Sequence, residues 1–147
     1  MSKVFLGIHL VFATSCRKRT IPMDKRRTLY AYIHSILQDR KCKTFRINGM
    51  QDHVHIAFDL SPIISLADLA RDIKRSTSIF MNPANGFPDF EGWGKGYFAE
   101  SFSHQERDGV ISYIIDQEKH HTGKAFEQEI EWLSLKAGLR YYPDDWE

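Results

Sequence analysis

The stretch "GMQDHVHIAFDL", residues 49–60, has the alternating pattern of a β-strand and carries two histidines on one face. Its apolar residues recur at every second position and favour a strand with one buried face: Val54, Ile56, Phe58 and Leu60. His53 and His55 must share the opposite face, because residues two apart in a strand point the same way and lie roughly 6.5 Å apart.

This histidine pair is a candidate metal site. Neutral imidazole nitrogens bind several divalent metals, so His53 and His55 could close on one ion between them. Two ligands do not complete a site, however, and a half-exposed strand can simply carry two polar residues. The strand by itself leaves both interpretations open.

The segments on either side of this strand predict the order βαββαβ. Residues 3–13 are apolar at nearly every position, which is typical of a central strand covered on both faces. The remaining elements before the last strand follow from helical spacing, a capping box and turn signals: a helix over 22–40, a strand over 42–48, a turn at Asn48-Gly49, and a helix starting at Ser65 and ending at Asn82-Pro83.

The fourth strand is predicted in "YFAESF", residues 97–102, and two helices follow at about 104–121 and 124–137. We therefore expect an α+β, ferredoxin-like fold: a four-stranded antiparallel sheet flanked by helices, with extra C-terminal helices. A length of 147 residues predicts a single domain, residues 1–147.

The composition indicates a cytoplasmic protein. Hydrophobic residues make up 42% and charged residues 27%, as in ordinary globular proteins. Two cysteines, Cys16 and Cys42, are too few for a disulfide framework. The longest apolar run, residues 4–13, is far shorter than the roughly 20 residues of a membrane span, so no membrane partner is expected.

Positive charge is concentrated in one segment although the formal net charge is only +1. Residues 16–27, "CRKRTIPMDKRR", hold six basic residues and one Asp, and we call them the basic segment. Such a segment can bind phosphates, but more often it is a solvated surface.

The helix predicted at 104–121 carries two further candidates, Tyr113 and Gln117. Four apolar residues define its core side: Val110, Ile111, Ile114 and Ile115. At about 100° per residue, their mean direction lies about 130° from Tyr113, so Tyr113 is predicted to point away from the core. Gln117, four residues later, lies beside it on the helix surface.

These motifs together closely resemble a known family. "DHVHI" on a strand, then "GYFAESFS", then "ISYIIDQEKHH" resemble the single-tyrosine HUH transposases of small bacterial insertion sequences, including relatives associated with repetitive extragenic palindromes. The likeness extends from "GIHLVFATSCR" to "AGLRYYPDDW", nearly the whole chain.

The resemblance implies a role for each matching residue. His53 and His55 would bind a divalent metal, Mg²⁺ or Mn²⁺, with Gln117 as third ligand, and Tyr113 would be the nucleophile. Family members cleave and rejoin single-stranded DNA at hairpins through a 5′-phosphotyrosine link. The resemblance also implies a nucleoid-associated homodimer in which the helix bearing Tyr113 can reach the partner's metal site.

The residue types suit this chemistry. A metal draws charge off the scissile phosphate and holds it in line, and three neutral ligands would leave the ion its full charge. A covalent intermediate conserves the phosphodiester energy, so strands can be rejoined without ATP. His120 or His121 could relay the tyrosine's proton, or could simply end the helix, where cations favour the dipole.

Other residues have both a functional and an ordinary interpretation. Lys74 and Arg75 could contact DNA phosphates, like Arg17, Lys18 and Arg19 of the basic segment, or could be surface charges. Trp93 could stack on a base, but a loop tryptophan is more often packed over the sheet. His9 is expected to be a hydrogen-bonded core histidine.

Two other functions compete with a transposase. A domesticated or non-catalytic nucleic-acid-binding protein could share the ferredoxin-like fold, but it leaves the histidines, Tyr113 and Gln117 unexplained. A hydrolase using zinc-bound water would need an acidic base near the histidines. Asp52 adjoins them but is predicted to point to the opposite face of the strand.

Overall fold

Four strands form one antiparallel sheet in the computed structural model, which describes residues 1–120 and 125–142. They are β1 (Gly7–Ala13), β2 (Lys43–Gly49), β3 (His53–Asp59) and β4 (Phe98–Phe102). Their spatial order is β2-β3-β1-β4, with every neighbouring pair antiparallel. The predicted ferredoxin-like arrangement is thereby confirmed.

Helices cover both faces of this sheet. They are α1 (Arg26–Asp39), α2 (Leu66–Phe80), α3 (Arg107–Ile115), α4 (Gln117–His120) and α5 (Phe126–Lys136). The first two pack on one face, and α3 and α5 pack on the other. Among the residues that the structure describes, no helix combines the length and the apolar character needed to cross a membrane.

The larger core lies between the sheet and the first two helices. It is filled by alternate residues of the two central strands together with one face of each helix: Leu10, Phe12, Val54, Ile56, Phe58, Leu29, Ile33, Leu69 and Ile73. The pattern that defined β3 therefore predicts its buried face correctly. Its other face was expected to be half exposed, but it is also buried, because α3 and α5 lie over the histidines.

The predicted helix boundaries are partly right. The Ser65 hydroxyl accepts a hydrogen bond from the Asp68 N–H at 3.0 Å, as the capping prediction requires. The first helix begins at Arg26 rather than residue 22, because Met23–Lys25 form a separate 3₁₀ turn.

The helix predicted over 104–121 is divided in the structure. A 3₁₀ turn at His104–Glu106 precedes α3, and Asp116, with ψ of 22°, separates α3 from α4. The Asn48 side-chain amide donates to the carbonyls of Ile114 and Ile115 at 3.0 and 3.2 Å. This side chain satisfies carbonyls that the interrupted helix leaves without their usual partners.

Candidate metal and nucleophile site

The two histidines of β3 face α3 and α5, and both are fully buried at 0% exposure. The His53 Nδ1–H donates to Asp52 Oδ1 at 2.7 Å. On the second histidine, His55 Nδ1 lies 2.8 Å from His9 Nε2. With each Nδ1 engaged in this way, both Nε2 atoms are directed into one site, as in histidines that bind metals.

Two side-chain oxygens approach these Nε2 atoms. Glu129 Oε1 lies 3.3 Å from the His53 nitrogen and 3.2 Å from the His55 nitrogen. Gln117 Oε1 lies 3.0 Å from His53 Nε2. We call His53, His55, Gln117 and Glu129 the donor cluster.

The spacing within the donor cluster suits a metal ion. Bonds of about 2.1 Å place neighbouring ligand atoms about 3.0 Å apart in octahedral and about 3.4 Å apart in tetrahedral geometry. The separations of 3.0 to 3.3 Å fall within that range. The ligand atoms of His53, His55 and Glu129 all lie within 4.8 Å of one another. The residues present therefore fit a divalent cation with mixed nitrogen and oxygen ligands.

Tyr113 lies beside this cluster. Its hydroxyl donates a hydrogen bond to Glu129 Oε2, and its ring centroid is 6.0 Å from those of both His9 and His55. The ring of Trp132 stacks on its other side, also at 6.0 Å. The hydroxyl and the two histidines are thus joined through a single carboxylate.

The predicted direction of Tyr113 is wrong. It faces the sheet and packs with Val110 and Ile114, whereas Ile115, which the sequence assigned to the core side, is 44% exposed. The periodicity of α3 alone could not show this, because α5 packs beside Tyr113 and partly covers it, with Trp132 stacked on its ring. The predicted proximity of Gln117 to Tyr113 is correct: both donate hydrogen bonds to Glu129 Oε2, Gln117 from its amide at 3.0 Å.

Burial and two carboxylates, Glu129 and the partly buried Asp52, determine the electrostatics of the site. Burial by itself lowers the pKa of His53, but hydrogen bonds and charge from Asp52 and Glu129 outweigh it and raise that pKa to about 9. Burial, with the neighbouring His55, lowers the pKa of His9 to about 3, so His9 is neutral and its Nε2 can accept from His55. Burial and the charge of Glu129 raise the pKa of Tyr113 well above 10.

Sequence reasoning missed Glu129 and misplaced Asp52. The sequence does contain a signal for Glu129, because an acidic residue on the apolar face of a helix is unusual. Glu129 lies on that face of α5, next to Ile130 and between Phe126 and Leu133. Asp52 precedes β3, so strand alternation does not govern it, and it contacts His53 instead of pointing away. The prediction for His9 as a hydrogen-bonded core histidine is confirmed.

The candidate DNA-binding residues lie apart from the donor cluster. Arg17 pairs with Glu127 at 2.9 Å, Lys18 pairs with Glu91 at 2.8 Å, and Arg19 is exposed. On α2, across the sheet from Tyr113, Arg75 is exposed. The Lys74 ammonium donates to the carbonyls of Gly94 and Gly96, so Lys74 holds a loop, and burial lowers its pKa.

Two further predictions concern Trp93 and the His120-His121 pair. The Trp93 ring packs edge-on against Phe12 at 4.7 Å, and its N–H donates to Thr77 Oγ1 at 2.8 Å, which confirms that it is packed over the sheet. His121 and the side chain of His120 fall outside the part of the chain that the structure describes, so the proton-relay prediction stays a prediction.

The chain is similar in sequence to known transposases. The family model "Transposase IS200 like" matches residues 3–117. The chain is 21% identical over 98 residues to the transposases for insertion sequence element IS200 of Salmonella typhimurium (strain LT2) and Salmonella typhi. These matches cover 63% of this chain and 64% of each relative.

A solved structure gives an independent comparison of the fold. The REP-associated tyrosine transposase bound to a REP hairpin has a TM-score of 0.57 and 18% identity, covering the whole of this chain and 92% of that one. At this identity the likeness shows a shared fold. Helix α5, with Glu129, begins after the last residue matched by the family model.

Proposed function

The chain belongs to the IS200-like transposase family, and on that premise we propose that it cleaves and rejoins single-stranded DNA through Tyr113. The observation that carries this proposal is the meeting of the Tyr113 hydroxyl with the donor cluster inside one chain. We propose that residues 1–147 act as one catalytic domain of this kind. A covalent DNA adduct that forms with the wild type and is lost in Tyr113→Phe is the test.

We infer that His53, His55 and Gln117 hold a divalent metal, Mg²⁺ or Mn²⁺. When bound, such an ion draws negative charge off the scissile phosphate and holds it in line with the attacking oxygen. Asp52 and His9 serve this site by fixing the two imidazole rings, since each binds the Nδ1 of one histidine.

Tyr113 supplies the nucleophilic oxygen. Its attack forms a bond from the phenolic oxygen to phosphorus and breaks the bond from phosphorus to the 3′ oxygen, which takes up one proton from water and leaves as a hydroxyl, while Tyr113 gives up one proton. Glu129 Oε2 already accepts the hydrogen bond of the Tyr113 hydroxyl, so it is the nearest described atom to which the proton can pass. Attack by a 3′ hydroxyl on the phosphotyrosine reverses these steps and rejoins the strand.

Helix α5 covers the two histidines. His53 and His55 are fully buried, and the Phe126 ring of α5 lies 4.5 Å from that of His53, centroid to centroid. Tyr113, in contrast, lines an open cavity together with His9 and Trp132, and we propose that DNA approaches the hydroxyl from this cavity. Arg17 of the basic segment pairs with Glu127 of α5, which places the basic segment beside this helix.

We propose hairpin-forming single-stranded DNA as the substrate. The solved relative of similar fold is bound to a REP hairpin, which supports this class of partner. The basic segment supplies the charge for backbone contacts: Arg19 is exposed, and the ion pairs of Arg17 and Lys18 are of the weak surface kind that a phosphate can replace.

Replacing Arg17, Lys18 and Arg19 together with Ala is expected to weaken DNA binding and to reduce its salt dependence. Each lost phosphate contact lowers the slope of log K against log salt by roughly 0.7 to 0.9, because fewer counterions are released. Binding isotherms at several salt concentrations measure this slope. A variant with Lys3, Lys43 and Lys119 changed to Ala has the same net charge and serves as control. Equal slopes for the two variants would show that the basic segment is only a solvated surface.

We further propose that two chains act together, because moving a DNA segment requires cuts at two ends. The resemblance implies a homodimer with Tyr113 reaching the partner's site, whereas the structure brings Tyr113 to the histidines of its own chain. Light scattering with DNA bound is expected to give twice the chain mass of 17.2 kDa plus the mass of the bound DNA.

A mixing experiment tells the two arrangements apart. We combine a His53→Ala/His55→Ala chain with a Tyr113→Phe chain under conditions that allow subunits to exchange. Because the described site forms within one chain, the mixture is expected to stay inactive in strand cleavage. Recovered cleavage would show that the tyrosine of one chain works with the metal site of its partner.

A further inference from the structure

We propose that Glu129 is a fourth protein ligand of the metal, so that the bound ion fixes helix α5 on the sheet and Tyr113 in the site at once. This inference rests on the metal site of the proposed function and adds a residue that lies outside the segment matched by the family model. It also changes the expected charge of the site, because the family resemblance implied neutral ligands alone.

The geometry around Glu129 Oε1 supports ligation. This oxygen lies 3.3 and 3.2 Å from two Nε2 atoms, and each histidine has its Nδ1 engaged by another residue. A carboxylate oxygen and an imidazole lone pair are both acceptors, so their close approach is stable only with a cation or a proton between them. Gln117 Oε1 adds a further oxygen 3.0 Å from His53 Nε2, next to the three ligand atoms of His53, His55 and Glu129 that lie within 4.8 Å of one another.

The position of Glu129 is also compatible with a cation. Its residue is only 4% exposed, although it lies among the apolar side chains with which α5 packs on the sheet. Asp52, which is partly buried, adds a second carboxylate on the other side of His53. A buried carboxylate is stable when it is paired, and a divalent ion held by the donor cluster would supply the positive charge that a protonated His53 supplies in its absence.

The second oxygen of Glu129 connects the ion to the nucleophile. Oε2 accepts hydrogen bonds from the Tyr113 hydroxyl and from the Gln117 amide. A metal bound at Oε1 would therefore hold the carboxylate in the rotamer that orients Tyr113. Since Glu129 is carried by α5, the same bond would anchor that helix against β3.

Titration of the full chain with Mn²⁺ alone, without DNA, tests this proposal by a readout other than activity. Glu129→Gln keeps the shape of the side chain but removes its charge, and it is expected to weaken Mn²⁺ binding by about tenfold or more. Glu131→Gln, which changes an exposed carboxylate of the same helix, is expected to bind like the wild type.

Hydrogen exchange of the backbone amides in 126–136 gives the second measurement. Mn²⁺ is expected to slow exchange in α5 of the wild type and of Glu131→Gln, and to have little effect in Glu129→Gln. Should Glu129→Gln fail to fold by circular dichroism, Glu129→Asp keeps the charge but withdraws the carboxylate by one methylene, and a comparable loss of affinity is expected.

The outcomes separate this inference from the proposed function. If the wild type binds Mn²⁺ and a folded Glu129 variant binds it equally well, Glu129 is only a hydrogen-bond partner of Tyr113 and the inference is overturned, while the metal site of His53, His55 and Gln117 stands. If the wild type binds no Mn²⁺ although it forms the Tyr113 adduct, the fourth ligand and the metal site both fail, while the nucleophile stands.

Discussion

Tyr113→Phe is expected to abolish the covalent protein–DNA adduct while leaving hairpin binding within a few-fold of the wild type. Only the hydroxyl is lost, and phenylalanine has no oxygen that can attack phosphorus. The ring contacts with His9, His55 and Trp132 do not need the hydroxyl, so the local packing is retained. Incubation with a labelled single strand, followed by a denaturing gel, measures the adduct, and a gel-shift assay measures binding.

Tyr142→Phe is the matched control for this experiment, because Tyr142 is exposed and was assigned no role in the site. It should form the adduct at the wild-type level. An adduct that survives in Tyr113→Phe would remove Tyr113 from the nucleophile role. If the wild type binds the hairpin but forms no adduct under any metal condition, the non-catalytic nucleic-acid-binding alternative would become the better account.

Local patterns were enough to predict the sheet. Alternation placed β3 and its histidines, and the Ser65 cap gave the start of α2 within one residue. These features depend on neighbours in sequence, since strand periodicity and capping are set within a few residues. For the same reason, the division between α3 and α4 could not be predicted: it involves Asn48, which lies 66 residues before Ile114.

The site could be predicted only in part, for a similar reason. The histidine pair, Tyr113 and Gln117 were recognised as a combination of motifs, and the structure brings all four residues together. Glu129 could not be placed, because its contact with His55 joins residues 74 apart and depends on how α5 packs. Periodicity shows that an acidic residue shares the apolar face of α5, but not which group on the sheet it meets.

His53→Ala, His55→Ala and removal of metal by EDTA are each expected to stop strand cleavage, with Mg²⁺ or Mn²⁺ restoring activity to the EDTA-treated wild type only. Each substitution removes one of the two proposed nitrogen ligands from a small donor cluster. The remaining ligand atoms then have to compete with water for the ion, and Mg²⁺ loses its bound water reluctantly. Cleavage of a labelled hairpin strand, with and without added metal, measures both effects.

Folding must be controlled in this experiment, because both histidines are buried and bonded to other residues. His53→Ala leaves Asp52 and Glu129 without the group that bonds to both, and His55→Ala removes the hydrogen-bond partner of His9. Circular dichroism and thermal unfolding therefore accompany the assay, and His34→Ala, at an exposed position of α1, is the matched control. Undiminished cleavage in EDTA would contradict the proposal that cleavage requires a divalent metal. In that case a proton on His53, and not a metal ion, would balance the charge of the carboxylates around it. If a folded histidine variant loses cleavage but still binds DNA, the histidines are needed for the cleavage reaction and not for DNA binding.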